Sequence, residues 1–198
     1  MAVPRRSFPQ KSSRPIVKLG AAEPEVMSSV RRSPSCDRGC PVLELDLDTE
    51  AATASLARSL ADALEPGDVV GLEGGLGAGK TTFTRQAIYG LGVDEETAVT
   101  SPTFALLHQY EGRLPIGHTD FYRLADEVEM EELGLDDLLQ DGAVLFVEWG
   151  RKFPEMAART DLFIDLEIVS DDARRARLRA KGARGDAIIG ALRKRLPR

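Results

Sequence analysis

A chain of 198 residues, 42% apolar and 29% charged, is long enough for one α/β domain with a proper core, and it has no apolar run of membrane-spanning length. Its net charge is −6, yet residues 1–40 hold eight basic and three acidic residues, which leaves −11 on residues 41–198. An acidic body argues against a broad phosphate-backbone footprint on nucleic acid, and a basic start with no apolar stretch behind it is not a secretory signal.

Residues 1–40 are rich in Pro, Ser and Arg and lack periodicity, so they read as a disordered basic extension ahead of a single domain over 41–198. Cys36 and Cys40 lie in that extension. With no second Cys pair nearby, they read as free thiols, which fits a reducing cytoplasm. Val42 to Leu47 alternates apolar and acidic residues and predicts a strand. Asp48 or Thr49 can cap a helix from Glu50 to Leu64, with Ala52, Leu56, Leu60 and Leu64 on one face. Pro66-Gly67-Asp68 turns the chain into a short apolar strand, Val69 to Glu73, and a helix is expected over Thr82 to Leu91. Phe104–Tyr110 and Leu114–Phe121 read as antiparallel strands around the turn Glu111-Gly112-Arg113. Residues 126–141 are strongly acidic and mostly helical in pattern. Val144 to Trp149 is a near-continuous apolar strand, Leu162–Val169 and Arg175–Ala180 form a hairpin, and Asp186–Leu196 closes the chain as an amphipathic helix. The alternation predicts a three-layer α/β/α fold on a mixed sheet.

Between the second strand and the helix after it stands Gly74-Gly75-Leu76-Gly77-Ala78-Gly79-Lys80-Thr81, the G-x-x-x-x-G-K-[ST] pattern of a phosphate-binding P-loop. The chemistry explains the residue types. Glycines let backbone N–H groups converge on phosphates, and the following helix adds positive charge at its N-terminus. Lys80 is the cation for the β/γ-phosphates, and the Thr81 hydroxyl is a ligand for Mg²⁺. Strand, glycine loop and helix are the context this motif requires, so the fold is expected to be P-loop NTPase-like.

Such a site needs acid at the end of a neighbouring strand. Asp120 closes one strand and Glu148 another. Asp120 is assigned to the metal, directly or through water; Glu148 shares the metal or orients the attacking water. Thr100-Ser101-Pro102-Thr103 lies where many P-loop hydrolases sense the γ-phosphate, and Thr103 can add a hydroxyl there. The chain has no Asn and no Lys followed two residues later by Asp, so the guanine motif is missing and ATP is favoured. Arg174 and Arg175 follow a turn and can brace the nucleotide, although Arg175, Arg177 and Arg179 also alternate as a half-exposed strand would.

Taken together and in order, Gly77-Ala78-Gly79-Lys80-Thr81-Thr82-Phe83, Ser101-Pro102-Thr103-Phe104, His118-Thr119-Asp120-Phe121-Tyr122-Arg123-Leu124, Glu131-Glu132-Leu133-Gly134 and Val147-Glu148-Trp149 resemble the TsaE (YjeE) family. The resemblance runs from about Val42 to Leu178. It implies a bacterial P-loop ATPase of tRNA threonylcarbamoyladenosine biosynthesis. Such an ATPase works with TsaD and TsaB, which modify adenosine 37 of tRNA, and meets tRNA only through that complex. It implies ATP and Mg²⁺ as cofactors, Thr81 and Glu148 at the magnesium positions, Asp120 as the strand-end aspartate, and Gly77 to Thr82 as the phosphate loop. Thr49 and Arg174 match nucleotide-contacting positions, and Trp149 matches a characteristic tryptophan whose other reading is plain packing. Gly75 stands where the family usually has Asp; a carboxylate is lost there but the N–H for phosphate remains. Thr119 replaces a common aromatic residue. The acidic segment Asp126–Asp141 is a candidate docking surface for a basic partner, or simply a solvated face. The alternative function is a small-molecule kinase, against which stands the lack of a basic lid between the P-loop helix and Glu148.

Overall fold

The computed structural model describes residues 30–32 and 42–196. In chain order the strands are β1 (Val30–Arg32), β2 (Val42–Leu47), β3 (Val69–Glu73), β4 (Leu107–Glu111), β5 (Pro115–Asp120), β6 (Val144–Glu148), β7 (Leu162–Ile168) and β8 (Arg174–Ala180). The helices are α1 (Glu50–Ala61), α2 (Lys80–Gly90), α3 (Glu127–Glu131), α4 (Leu135–Gln140), α5 (Pro154–Arg159) and α6 (Gly182–Arg195). All eight strands join one sheet in the order β1-β2-β8-β7-β3-β6-β5-β4. β3 runs parallel to β6 and β7, and β5 runs parallel to β6; the other pairings are antiparallel.

Side-chain alternation splits the core into two layers. Val70, Leu72, Val144 and Phe146 pack on one face against Leu56 and Leu60 of α1, Phe83 and Ile88 of α2, and Ile188 and Leu192 of α6. Val69, Leu145 and Val147 point the other way, onto Phe121, Met130, Leu135, Phe153 and Met156. The mixed sheet therefore lies between two helical layers, as the periodicity predicts. No described helix is long and apolar enough to cross a membrane.

Several boundaries differ from expectation, each for a local reason. The expected strand from Phe104 begins only at Leu107. Leu106 adopts φ 64° and its N–H returns to the Pro102 carbonyl at 2.6 Å, so residues 103–106 make a turn. The acidic stretch breaks into α3 and α4 at Gly134. Asp126 caps α3 by accepting from Glu129 N, and the Glu129 carboxylate reaches back to accept from Ala125 N, one residue before the cap. α6 starts at Gly182 rather than Asp186. Within the stretch expected to lack structure, Val30–Arg32 pairs antiparallel with β2; the rest of residues 1–40, with Cys36 and Cys40, lies outside the described residues.

Candidate functional site

The C-terminal ends of β3, β5 and β6 meet at one edge of the sheet. Register sets Asp120 beside Glu148, and Glu148 beside Leu72. Each strand thus delivers its last residues to the same place, which is where parallel strands present ligand sites. Between β3 and α2 the chain wraps through the P-loop. A Cβ on Gly74 would lie 2.3 Å from the Leu166 carbonyl oxygen, so only glycine lets the loop leave β3 against β7. Gly79 takes φ 100° at the N-cap of α2, and a Cβ at Gly75, Gly77 or Gly79 would meet no atom within 4 Å. The loop is thus a cradle that borders open space.

Lys80 is 5% exposed. Its Nζ donates to the carbonyls of Gly74 at 2.9 Å and Gly75 at 3.0 Å, and lies 4.1 Å above the Trp149 ring. Burial lowers its pKa, against the pull of Glu148, Asp120 and Glu73, which favour the charged form. Thr81 Oγ1 donates to Glu148 Oε1 at 2.8 Å. Asp120 is held on both oxygens: Oδ2 accepts from Ser101 Oγ at 2.6 Å and Thr103 Oγ1 at 3.1 Å, and Oδ1 accepts from Tyr122 N at 2.9 Å. A cavity of about 590 Å³ lies over these groups, with Lys80, Thr81, Thr82, Asp120 and Glu148 in its wall and Tyr122, Arg123 and Trp149 at its side. A smaller one of about 170 Å³ adjoins the same loop, bounded by Glu50, Thr53, Gly77, Ala78, Gly79, Asp172 and Arg174.

Most of the expected site residues are therefore brought together: Gly77, Ala78, Gly79, Lys80, Thr81, Thr82, Asp120 and Glu148. Gly75 contributes its carbonyl to Lys80. Two others have different local partners. Thr49 caps α1 by accepting from Ala52 N at 3.1 Å, and it is Glu50 and Thr53 that face the smaller cavity. Arg174 donates from Nε to the Ala78 carbonyl at 3.1 Å and from Nη1 to the carbonyls of Ser170, Asp171 and Ala173. It ties the β7–β8 turn to the P-loop.

From the sequence alone His118 has no role, and Ser101 and Trp149 have a place but no partner. His118 Nε2 lies 2.9 Å from Glu148 Oε1, and Ser101 joins Thr103 on Asp120. Trp149 is held at φ 62° just after Glu148. Its N–H donates to the Leu72 carbonyl, and the next turn is pinned by Arg151 N donating to Glu73 Oε1 at 2.7 Å. A positive φ on a bulky residue is strained and persists where surrounding bonds impose it. In the sequence, Trp149 is marked by its place beside Glu148 and by its match to the family's characteristic tryptophan.

The donor set suits a magnesium nucleotide. Among the described residues no cluster of three or more His, Cys, Asp and Glu is arranged to hold a metal by itself. One hydroxyl and one or two carboxylates beside a phosphate cradle match the way Mg²⁺ is usually shared between protein and phosphate oxygens.

The family model described as "Threonylcarbamoyl adenosine biosynthesis protein TsaE" matches residues 47–177. The chain is 40% identical over 141 residues to the tRNA threonylcarbamoyladenosine biosynthesis protein TsaE of Bacillus subtilis, covering 71% of this chain and 87% of that one. Against the protein of the same name from Streptomyces coelicolor, identity is 44% over 137 residues, 65% of this chain and 90% of the other. The crystal structure of Bacillus subtilis YdiB superposes with a TM-score of 0.64 at 30% identity, over 80% of this chain and 98% of that one. The chain belongs to the TsaE family.

Proposed function

We propose that this protein is a Mg²⁺-dependent ATPase of tRNA threonylcarbamoyladenosine biosynthesis, acting with TsaD and TsaB rather than transferring the group itself. The observation that carries the reading is the Thr81–Glu148 pair beside Lys80 at the foot of a glycine cradle. The pathway comes from the names of the relatives. When bound, Mg²⁺–ATP supplies the labile phosphoanhydride and a cation that offsets charge on its oxygens.

The protein's own groups do the rest. N–H groups of Gly75 to Thr82 and the α2 N-terminus bind the phosphates. Lys80 would turn from the loop carbonyls toward the β/γ-oxygens, where the low dielectric of its buried setting strengthens the attraction between opposite charges. Thr81 keeps its proton on Glu148 and offers its lone pairs to the cation. Asp120, fixed by three donors, holds a water or the cation's hydration shell in place. Glu148 completes the cation's partners or orients the attacking water. Adenine is preferred because the guanine-reading motif is missing, and the −11 body makes free tRNA a poor ligand.

Calorimetry should find Mg²⁺-dependent binding of ADP and ATP, weaker binding of GTP, and loss of nucleotide binding in Lys80→Ala. ATP turnover should rise when TsaD and TsaB are added. Equal or tighter GTP binding, or phosphate passed to an added small-molecule acceptor instead of water, would overturn the reading.

A further inference from the structure

Glu148 is fixed from below by a residue outside the P-loop. Its Oε1 accepts two hydrogen bonds, from Thr81 Oγ1 at 2.8 Å and from His118 Nε2 at 2.9 Å. Register explains the second. His118 stands opposite Phe146 on the neighbouring parallel strand, two residues before Asp120, as Phe146 stands two residues before Glu148. Residues two apart share a sheet face, so the imidazole reaches Glu148 diagonally. His118 has no exposed surface, and Glu148 is 3% exposed.

The proton's place follows from the partner. An ionised carboxylate only accepts, so Nε2 donates. The ring's other nitrogen, Nδ1, is buried with no partner among the described residues. A buried, half-satisfied imidazole is less favourable than an apolar side chain of similar size. Among the described residues its one hydrogen-bond partner is Glu148, so what offsets that penalty is sought there.

We propose that His118 is a positioning residue that holds the Glu148 carboxylate for the cation and water; the inference rests on the ATPase reading above. The Nε2–H bond fixes Oε1 and leaves Oε2, which has no partner among the described residues, available to a ligand. His118 approaches from the sheet and Thr81 from α2. When the Thr81 oxygen engages a cation, the imidazole still keeps the carboxylate in register. Removal of a hydrogen-bond partner behind a metal ligand typically lowers metal affinity or activity by about 10–100-fold.

Two variants of the full chain test this. His118→Leu removes the donor, and His118→Gln retains an amide N–H at similar reach. In ligand-free crystal structures, Glu148 should leave Thr81 in the leucine variant and stay in the glutamine variant. In solution, His118→Leu should weaken the Mg²⁺-dependent part of ADP affinity roughly tenfold, with Mg²⁺-free ADP affinity unchanged. With TsaD and TsaB, kcat should fall at constant KM, and glutamine should restore most of it. If the leucine variant does not fold, His118→Asn, whose shorter amide does not span the gap, takes its place. An undisturbed Glu148 in the donor-less variant, or equal Mg²⁺ responses of the donor-less and glutamine variants, overturns the proposal. A wild-type protein indifferent to Mg²⁺ overturns the ATPase reading instead, while the ligand-free structures still decide whether His118 holds Glu148.

Discussion

Two halves of one sheet treat charge in opposite ways. Around β3, β6 and β5 the strands are parallel and covered on both faces, and β3 and β6 are buried at every residue. Around β2, β8 and β7 the strands are antiparallel, and β2 alternates half-buried and buried residues along its length. Its open face is a ladder of cross-strand pairs, Glu44 with Arg177, Asp46 with Arg175 and Asp165 with Arg179, and Asp165 also meets Arg151 from the turn after β6. On the parallel half, charges occur only at strand ends, and each has named donors: Glu73, Asp120 and Glu148. Exposed pairs are screened and exchange freely with water, whereas a buried carboxylate stripped of its donors has nothing to replace them. Ladder charges shape the surface; strand-end charges make the site.

The contrast is broken most forcefully in the core. Phe146→Ala opens a cavity where the sheet is packed from both sides, and chemical denaturation should show a loss of about 3–5 kcal/mol. A loss under about 1 kcal/mol would mean that this half repacks as easily as an open face. Next is Glu148→Ala, which should lower ATP turnover in the presence of TsaD and TsaB by roughly a hundredfold and weaken Mg²⁺-dependent ADP affinity at least as much as His118→Leu does, while Mg²⁺-free ADP affinity is kept. Wild-type turnover would remove Glu148 from the chemistry.

Glu73 gives a pH-dependent prediction. Burial raises its pKa above the ordinary 4.5, outweighing the Arg151 N–H and guanidinium, which lower it. The folded chain therefore holds this proton to higher pH than the unfolded chain does. The penalty for ionising it is absent below the unfolded value and complete above the raised folded one. Stability relative to Glu73→Gln should fall as pH rises through that interval and then level off. Parallel melting curves for the two proteins from about pH 4 to 8 would mean that Glu73 ionises as easily folded as unfolded. The smallest effect belongs to the ladder. A double-mutant cycle on Glu44 and Arg177 should give a coupling of about 0.2–1 kcal/mol that shrinks with salt. A coupling above about 2 kcal/mol would put the ladder in the same class as the strand-end groups.

Periodicity and the P-loop carried most of the fold and the central site. Val144 to Val147 is short, apolar and β-branched at both ends, which reads as a buried strand, so the acid after it falls at a strand end, and Gly79-Lys80-Thr81 marks the phosphate loop that faces it. Features made by distant partners were not legible. His118 reads as one more residue of β5, because its partner is thirty positions away on another strand. Arg174 borders the smaller cavity by the P-loop, as its type and position suggest, while its bonds to the Ala78 and Ser170 carbonyls are main-chain contacts that no side-chain pattern reveals. Phe104 reads as a strand start because it is aromatic and followed by Ala105 and Leu106, yet the left-handed Leu106 turns it outward, 84% exposed.

Trp149 is the only tryptophan in the chain, and its ring lies 4.1 Å from the Lys80 ammonium and 5.3 Å from the Tyr122 ring. Indole emission responds to a nearby charge. Any phosphate that draws Lys80 off the ring changes the electric field at the sole tryptophan fluorophore. The protein therefore carries an intrinsic optical sensor of its own phosphate site, readable in a stopped-flow instrument with no dye or label attached.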